Sequence, residues 1–178
     1  MSLTIRADMG DLDRFLNSLG DNIEAAVRPA AQAGAQVLYE QVLSNVRRLR
    51  RYTGNLERAI YQAYSADNSG PLRATYHISW NAKKAPHGIL VEYGHLQRYR
   101  YYKDKFGNIR PMVRPGMEGK PPPKRRASQA IKDAYYVTLP VPIQVPARSF
   151  LRNAASAFPR AQDAMQKVLI QKFAESRK

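Results

Sequence analysis

Cysteine is absent from this chain. That excludes disulfide staples, thiolate metal sites and cysteine nucleophiles, and it suits a reducing compartment. Histidine is nearly as scarce: His77, His87 and His95 are the three, and their spacing matches no HExxH-type metal motif. No apolar run approaches the roughly 18 residues of a membrane span. The opening MSLTIRADMGDLDRF lacks a signal-peptide core. The expectation is a soluble protein used in a cytoplasm, or in something assembled there, with no membrane partner.

Catalytic groupings are equally sparse. Gly116-Met117-Glu118-Gly119 lacks the Lys-Ser/Thr and the strand–helix setting of a phosphate loop. Asp11 and Asp13 read as helix-start residues. Glu92 sits in an apolar run, where a carboxylate needs a partner. It has no nucleophile or second acid near it in sequence, so an ion pair with Arg or Lys is favoured over a general base. The expectation is no catalytic residue, no metal, no cofactor and no small-molecule substrate.

Acidic residues are the last scarcity, and they turn the reading towards what is present. Only 14 Asp+Glu stand against 29 Lys+Arg, leaving a net charge of +15. Roughly half of it lies in one stretch, RYRYYKDKFGNIRPMVRPGMEGKPPPKRR, from Arg98 to Arg126. Its cations are Arg98, Arg100, Lys103, Lys105, Arg110, Arg114, Lys120, Lys124, Arg125 and Arg126, opposed by Asp104 and Glu118, for a net +8. So dense a like charge repels itself unless an anionic partner neutralises it. Arg and Lys neutralise phosphates and interleaved Tyr stacks on bases, but no nucleic-acid recognition signature is present. Tyr and Arg are equally the residues that protein interfaces favour. The candidate contact residues are Arg98, Tyr99, Arg100, Tyr101, Tyr102, Lys103, Lys105, Arg110, Arg114, Lys124, Arg125 and Arg126.

The periodicities predict an α+β domain over 1–178. Residues 3–7 alternate as a short strand. Leu12, Phe15, Leu16 and Leu19 give a first helix capped at Gly20. From Asp21 or Asn22 a longer helix carries Ile23, Ala26, Val27, Ala30, Ala33, Val37, Leu38, Val42, Val46 and Leu49 on one face. Pro29 predicts a kink or restart near Arg28, and Arg47, Arg48, Arg50 and Arg51 close the helix. Thr53 caps a third helix facing Leu56, Ala59, Ile60 and Ala63 inward. Leu72 to Trp80 alternates as a strand, and HGILVEYGH reads as a strand or turn ended by Gly94. Gly107-Asn108 turns a β-hairpin from about Arg98 to Arg114, and the prolines beyond it discourage regular structure. Ala127 to Tyr136 gives two helical turns, and Val137 to Val145 an edge strand broken by Pro140 and Pro142. Ser149 to Phe173 is helical, with Phe150, Leu151, Ala154, Phe158, Ala161, Met165, Val168, Leu169 and Phe173 inward and a second start at Pro159. The long N-terminal and the C-terminal helices are expected to pack on a small, mainly antiparallel sheet. A basic hairpin and loop arm, about 96–144, would protrude from a core of about 1–95 and 145–178.

Three blocks carry a resemblance: Thr53-Gly54-Asn55-Leu56-Glu57-Arg58-Ala59-Ile60, His87-Gly88-Ile89-Leu90-Val91-Glu92-Tyr93-Gly94-His95, and Val145-Pro146-Ala147-Arg148-Ser149-Phe150-Leu151-Arg152-Asn153-Ala154. Their order and wording resemble the tail-component family of HK-type long-tailed bacteriophages, over roughly 10–95 and 145–175. The resemblance implies a phage or prophage structural protein of the virion, assembled in the host cytoplasm. It would form a ring, expected as a hexamer, that completes the tail or joins it to the head connector. Tail-tube and head-connector proteins would be its neighbours, with packaged DNA close by. Gly54, Leu56, Glu92, Gly94, Phe150 and Arg152 are its structural or interface candidates. Fifty residues separate Gly94 from Val145, longer than compact members would need, and a structureless loop of that length would become ordered through its partners. An acidic protein surface is the expected counterpart of the arm, packaged DNA the second. The alternative is a basic nucleic-acid-binding protein using the same arm.

Overall fold

A computed structural model describes residues 2–8, 22–49 and 54–175. The expected first helix with its Gly20 cap, and Arg50, Arg51 and Thr53, lie outside them. The organising element is a long helix, α1 (Asn22–Arg47), whose buried line Val27, Ala31, Ala35, Leu38, Val42 and Val46 is at most 5% exposed. The steps of three and four along this line trace one helical face. Ala31 and Ala35 stand where the sequence stripe placed Ala33 and Val37, which are only half-buried. Pro29 lies within α1 and no restart occurs. Proline removes the amide that would bond Ala25, and Ala25 is exposed, so water can satisfy the freed carbonyl.

The C-terminal helix α5 (Phe158–Glu175) runs against α1, preceded by a 3₁₀ turn at Arg152–Ala157. The α1 face here is small, with Ala30, Ala31 and Gly34 opposing Ala154, Ala157 and Ala161, and those alanines are at most 3% exposed. A Cβ on Gly34 would stand 2.7 Å from the Met165 side chain, so glycine sets this close approach. Phe158, expected inward, is 42% exposed, and Ala157 is buried in its stead. The tighter 3₁₀ turn shifts the phase of the face before α5 begins.

α1 also covers a three-stranded antiparallel sheet ordered β1 (Leu3–Asp8), β3 (Arg73–Trp80), β2 (Ile60–Tyr64). Ile5 pairs with Tyr76, and Ile60 with Trp80. The expected third helix through Ala63 is corrected: α2 (Asn55–Ala59) stops after five residues and Ile60 begins β2. The run Ile60-Tyr61-Gln62-Ala63-Tyr64 is β-branched and aromatic enough to serve as a strand. Pairing with β3 outweighs one more helical turn.

HGILVEYGH is corrected as well. It forms a short helix, α3 (Gly88–Tyr93), with Gly88 and Glu92 buried one turn apart. Five apolar-rich residues cannot be assigned by periodicity alone, and the helix is what brings residues 88 and 92 to one side. The 95–145 segment is not the structureless loop considered from its length. β4 (His95–Tyr99) pairs with β7 (Thr138–Val145), β5 (Tyr101–Lys103) pairs with β6 (Ile109–Pro111), and α4 (Gln129–Tyr135) lies between. The α+β architecture, with two long helices packed against small antiparallel sheets and a hairpin arm, agrees with the sequence expectation.

Candidate interaction surface

The segment emerges from a closely fitted junction. Gly94 adopts φ 73° and ψ 176°, a region that only glycine populates freely. A Cβ there would stand 2.5 Å from the Val145 carbonyl oxygen and 2.8 Å from the Ala147 nitrogen. Both obstacles are backbone, so the two ends of the segment touch because residue 94 has no side chain. The Arg148 amide also donates to the Val91 carbonyl at 2.8 Å.

Beside this junction lies Glu92, fully buried. Its carboxylate accepts from the Leu151 amide at 2.9 Å and from the Arg152 amide and Nε, each at 3.1 Å. Arg152 Nη2 donates to the Glu92 carbonyl and to Ser149 Oγ, both at 2.8 Å, and its guanidinium lies 4.8 Å from the Tyr93 ring centre. Ser149 takes the positive φ of 44° that the sharp entry into this turn requires. A buried carboxylate needs such a full set of partners. Glu92 therefore ties α3 to the chain entering α5, and its acceptor oxygens are occupied rather than poised for proton transfer. Phe150, fully buried, meets Trp80 edge-on at 5.7 Å and accepts from Asn45 Nδ2 at 2.9 Å. Leu56 is buried in the same core, and Gly54 takes φ 71° at the start of α2.

Beyond the junction the backbone keeps its own ladder. Arg100 N donates to Val137 O, Met112 N to Arg100 O, and Val137 N to Met112 O, at 2.8–2.9 Å. This triangle joins the β4–β7 ribbon to the β5–β6 hairpin. A small aromatic cluster supports it, with Tyr136 centred 5.3 Å from Tyr99 and 4.9 Å from Tyr135. The Tyr99 hydroxyl donates to Asp133 Oδ1 at 2.9 Å, and Gln129 Nε2 donates to both groups. Partial burial, reinforced by Asp133, raises the Tyr99 phenol above its ordinary pKa. Arg114 Nε donates to the Tyr136 carbonyl at 3.0 Å and closes the far side.

At the hairpin tip Asp104 is the hub. It accepts from the Phe106 and Asn108 amides, from Asn108 Nδ2 and from Arg110 Nε, at 2.8–3.1 Å. Desolvation within the turn pushes its pKa upward, but the Arg110 and Asn108 hydrogen bonds, with that from Phe106, outweigh it and hold the pKa at about 2. In sequence Asp104 counted only as one of two acids against ten cations. The signal for its role is the Asp-x-x-Gly-Asn spacing of a side-chain-closed turn.

All ten cations from Arg98 to Arg126 are exposed, and so are Tyr101 and Tyr102. Tyr99 is half-buried inside the segment and belongs to its support rather than to its outer face. The structure thus divides the residues singled out in the sequence. Gly94, Glu92, Phe150 and Arg152 meet at the junction, while the arm cations are distributed along its surface. The three histidines stay apart in role: His77 accompanies Thr4 at 2.9 Å, His87 starts α3 with its pKa lowered by burial, and His95 opens β4. Among the described residues no group of three His, Asp or Glu side chains could hold a metal ion. No described helix is long and apolar enough to cross a membrane.

Comparison with known families matches residues 10–94 to the HK97-gp10-like model, described as "Bacteriophage HK97-gp10, putative tail-component". No match is found among curated proteins or among solved structures. The matched region takes in the long helix, strands β2 and β3 of the three-stranded sheet, and α3 with Glu92, and it ends at Gly94, where the basic segment begins. Over residues 10–94 the chain is thus similar to the HK97-gp10-like family of bacteriophage tail components.

Proposed function

We propose that the protein forms a closed ring at the end of the phage tail, completing the tail and joining it to the head connector. The resemblance suggests a hexamer. In this reading 1–178 is one domain with a body of about 1–95 and 145–178, and the arm of about 96–144 extends towards neighbouring tail-tube or head-connector proteins. The carrying observation is the junction at Gly94, where a family-type body ends and an internally braced segment with ten exposed cations begins. Subunits that each carry +15 associate most easily through uncharged surface. Val137 to Ala147 contains no charged residue, and Val141 and Ile143 within it are 74% and 53% exposed. A heterologous contact whose rotation closes yields a ring.

Mass measurement of the free protein, and of the protein within particles, tests the ring directly. The arm is tested by joining Gln97 to Ile143, which are register partners, through an Asn-Gly turn. The expected result is a folded protein that no longer completes particles, and a wild-type particle yield removes the arm from the function. A second reading, nucleic-acid binding, is favoured by Tyr101 and Tyr102 standing exposed beside Arg100 and Lys103. A protein that stays monomeric at high concentration, and binds DNA at micromolar or tighter affinity with a steep salt slope, establishes that reading over the ring.

A further inference from the structure

Both faces of the β5–β6 hairpin carry exposed side chains. Its register sets Tyr102 opposite Arg110, Tyr101 opposite Pro111, and Lys103 opposite Ile109. Alternation therefore sends Tyr102 and Arg110 to one side and Tyr101, Lys103 and Ile109 to the other. Tyr101, Tyr102 and Ile109 are 44%, 47% and 51% exposed, and Phe106 at the tip is 76% exposed. A ribbon lying on a partner needs apolar groups on one face only, and a free two-stranded ribbon is marginal in water. Two apolar faces mixed with cations require a partner on each side.

The tip is also organised in advance. Asp104 closes the turn through the Phe106 and Asn108 amides and fixes Arg110. Such a turn enters a site without the ordering cost of a loose loop.

Resting on the tail-component reading above, we propose that this hairpin is a blade inserted tip-first into an acidic cleft of a different tail protein, its apolar side chains covered on both faces. A second copy of this chain is a poor host, because it brings 29 Lys+Arg and 14 Asp+Glu of its own and so adds repulsion. Nucleic acid is also a poor host. Arg110, next to the tip, is already bound to the Asp104 carboxylate, and an aliphatic side chain such as Ile109 finds no stacking or phosphate partner there. An acidic protein cleft with apolar walls satisfies the cations and Ile109 together.

The test places the photo-crosslinking residue p-benzoylphenylalanine (Bpa) on either face, as Tyr102→Bpa and Ile109→Bpa, in the full chain assembled into virions. Both sites are exposed, and each variant is first matched to the wild type by its unfolding midpoint. The expected result is that both variants crosslink to acidic segments of one and the same other tail protein. Crosslinks to DNA, to a second copy of this chain, from one face only, or from neither face overturn the blade. A chain that is missing from virions fails the tail reading and the blade together. A chain that is present without two-faced crosslinks fails the blade alone.

Discussion

Replacing Gly94 by alanine isolates the close approach at the base of the arm from the backbone conformation that accompanies it. Gly94, Gly116 and Gly119 all have positive φ, at 73°, 84° and 78°. They differ in what an added methyl group meets. At Gly116 and Gly119 nothing lies within 4 Å, whereas at Gly94 the methyl meets the Val145 oxygen at 2.5 Å, the Ala147 nitrogen at 2.8 Å and the Pro146 carbonyl carbon at 3.0 Å. Gly116→Ala thus carries only the left-handed penalty, about 1 kcal/mol. Gly94→Ala carries a strain of about 2 kcal/mol for a region alanine rarely enters. Backbone cannot swing aside as a side chain does, so the His95–Val145 pairing must also open, at about 1 kcal/mol for each hydrogen bond lost. The expected total is about 3–5 kcal/mol.

Trp80 is the single tryptophan and is 7% exposed against Phe150, close to this junction, so its fluorescence reports unfolding there. With a urea dependence of about 2 kcal/mol per molar, Gly94→Ala lowers the midpoint by about 2 M and Gly116→Ala by about 0.5 M. Equal shifts for the two variants refute the reasoning, because positive φ alone would then account for both.

Three further outcomes follow from other contacts. Glu92→Leu strands the buried Leu151 amide and the part-buried Arg152 amide and costs about 3 kcal/mol. Glu92→Gln keeps an acceptor and costs less, and chemical denaturation ranks the two. The Asp104 carboxyl, held at about 2 against an ordinary 3.8, is a depressed acid, so its contribution is complete above the ordinary value and disappears as pH falls through about 2. Amide resonances of Phe106 and Asn108 should titrate near that lower value; a midpoint at or above 3.8 contradicts the hub. Gly34→Val crowds Met165 and the Ala161 carbonyl and destabilises by about 2–3 kcal/mol. Met165→Ala in the same chain should recover part of that loss in thermal unfolding.

Long-range order was legible where a periodicity ran far enough to choose one structure. The α1 stripe spans seven turns, so Val27, Leu38, Val42 and Val46 fall on the buried face, and the strict alternation of β3 gives its strand. Short elements were not legible, because their conformation is decided by partners distant in the chain. Ile60–Tyr64 is a strand because β3 stands beside it, and Gly88–Tyr93 is a helix because Gly88 and Glu92 must be buried together. The Glu92–Arg152 pairing spans sixty residues; sequence supplied the need for a partner but not its identity. The Asp104 hub was hidden by counting charge, since its importance comes from turn geometry and not from the sign of the local net charge.

The two polar centres hold the arm at opposite ends, and their chemistry differs accordingly. Glu92 is sealed from water and engages backbone amides of the chain leading into α5, so it fixes where the arm leaves the body. Asp104, 13% exposed in its side chain, engages groups only within its own turn, so it fixes the shape of the tip without tying it to the body. Between them the Arg100–Met112–Val137 triangle, the Val113–Tyr136 bridge and the Arg114 hydrogen bonds to Tyr135, Tyr136 and Thr138 tie the hairpin to the chain leading into β7. The tip's own hydrogen bonds keep its side chains at a fixed mutual spacing. That suits the proposed docking of the basic segment on another protein, because the contact geometry of the tip is set in advance.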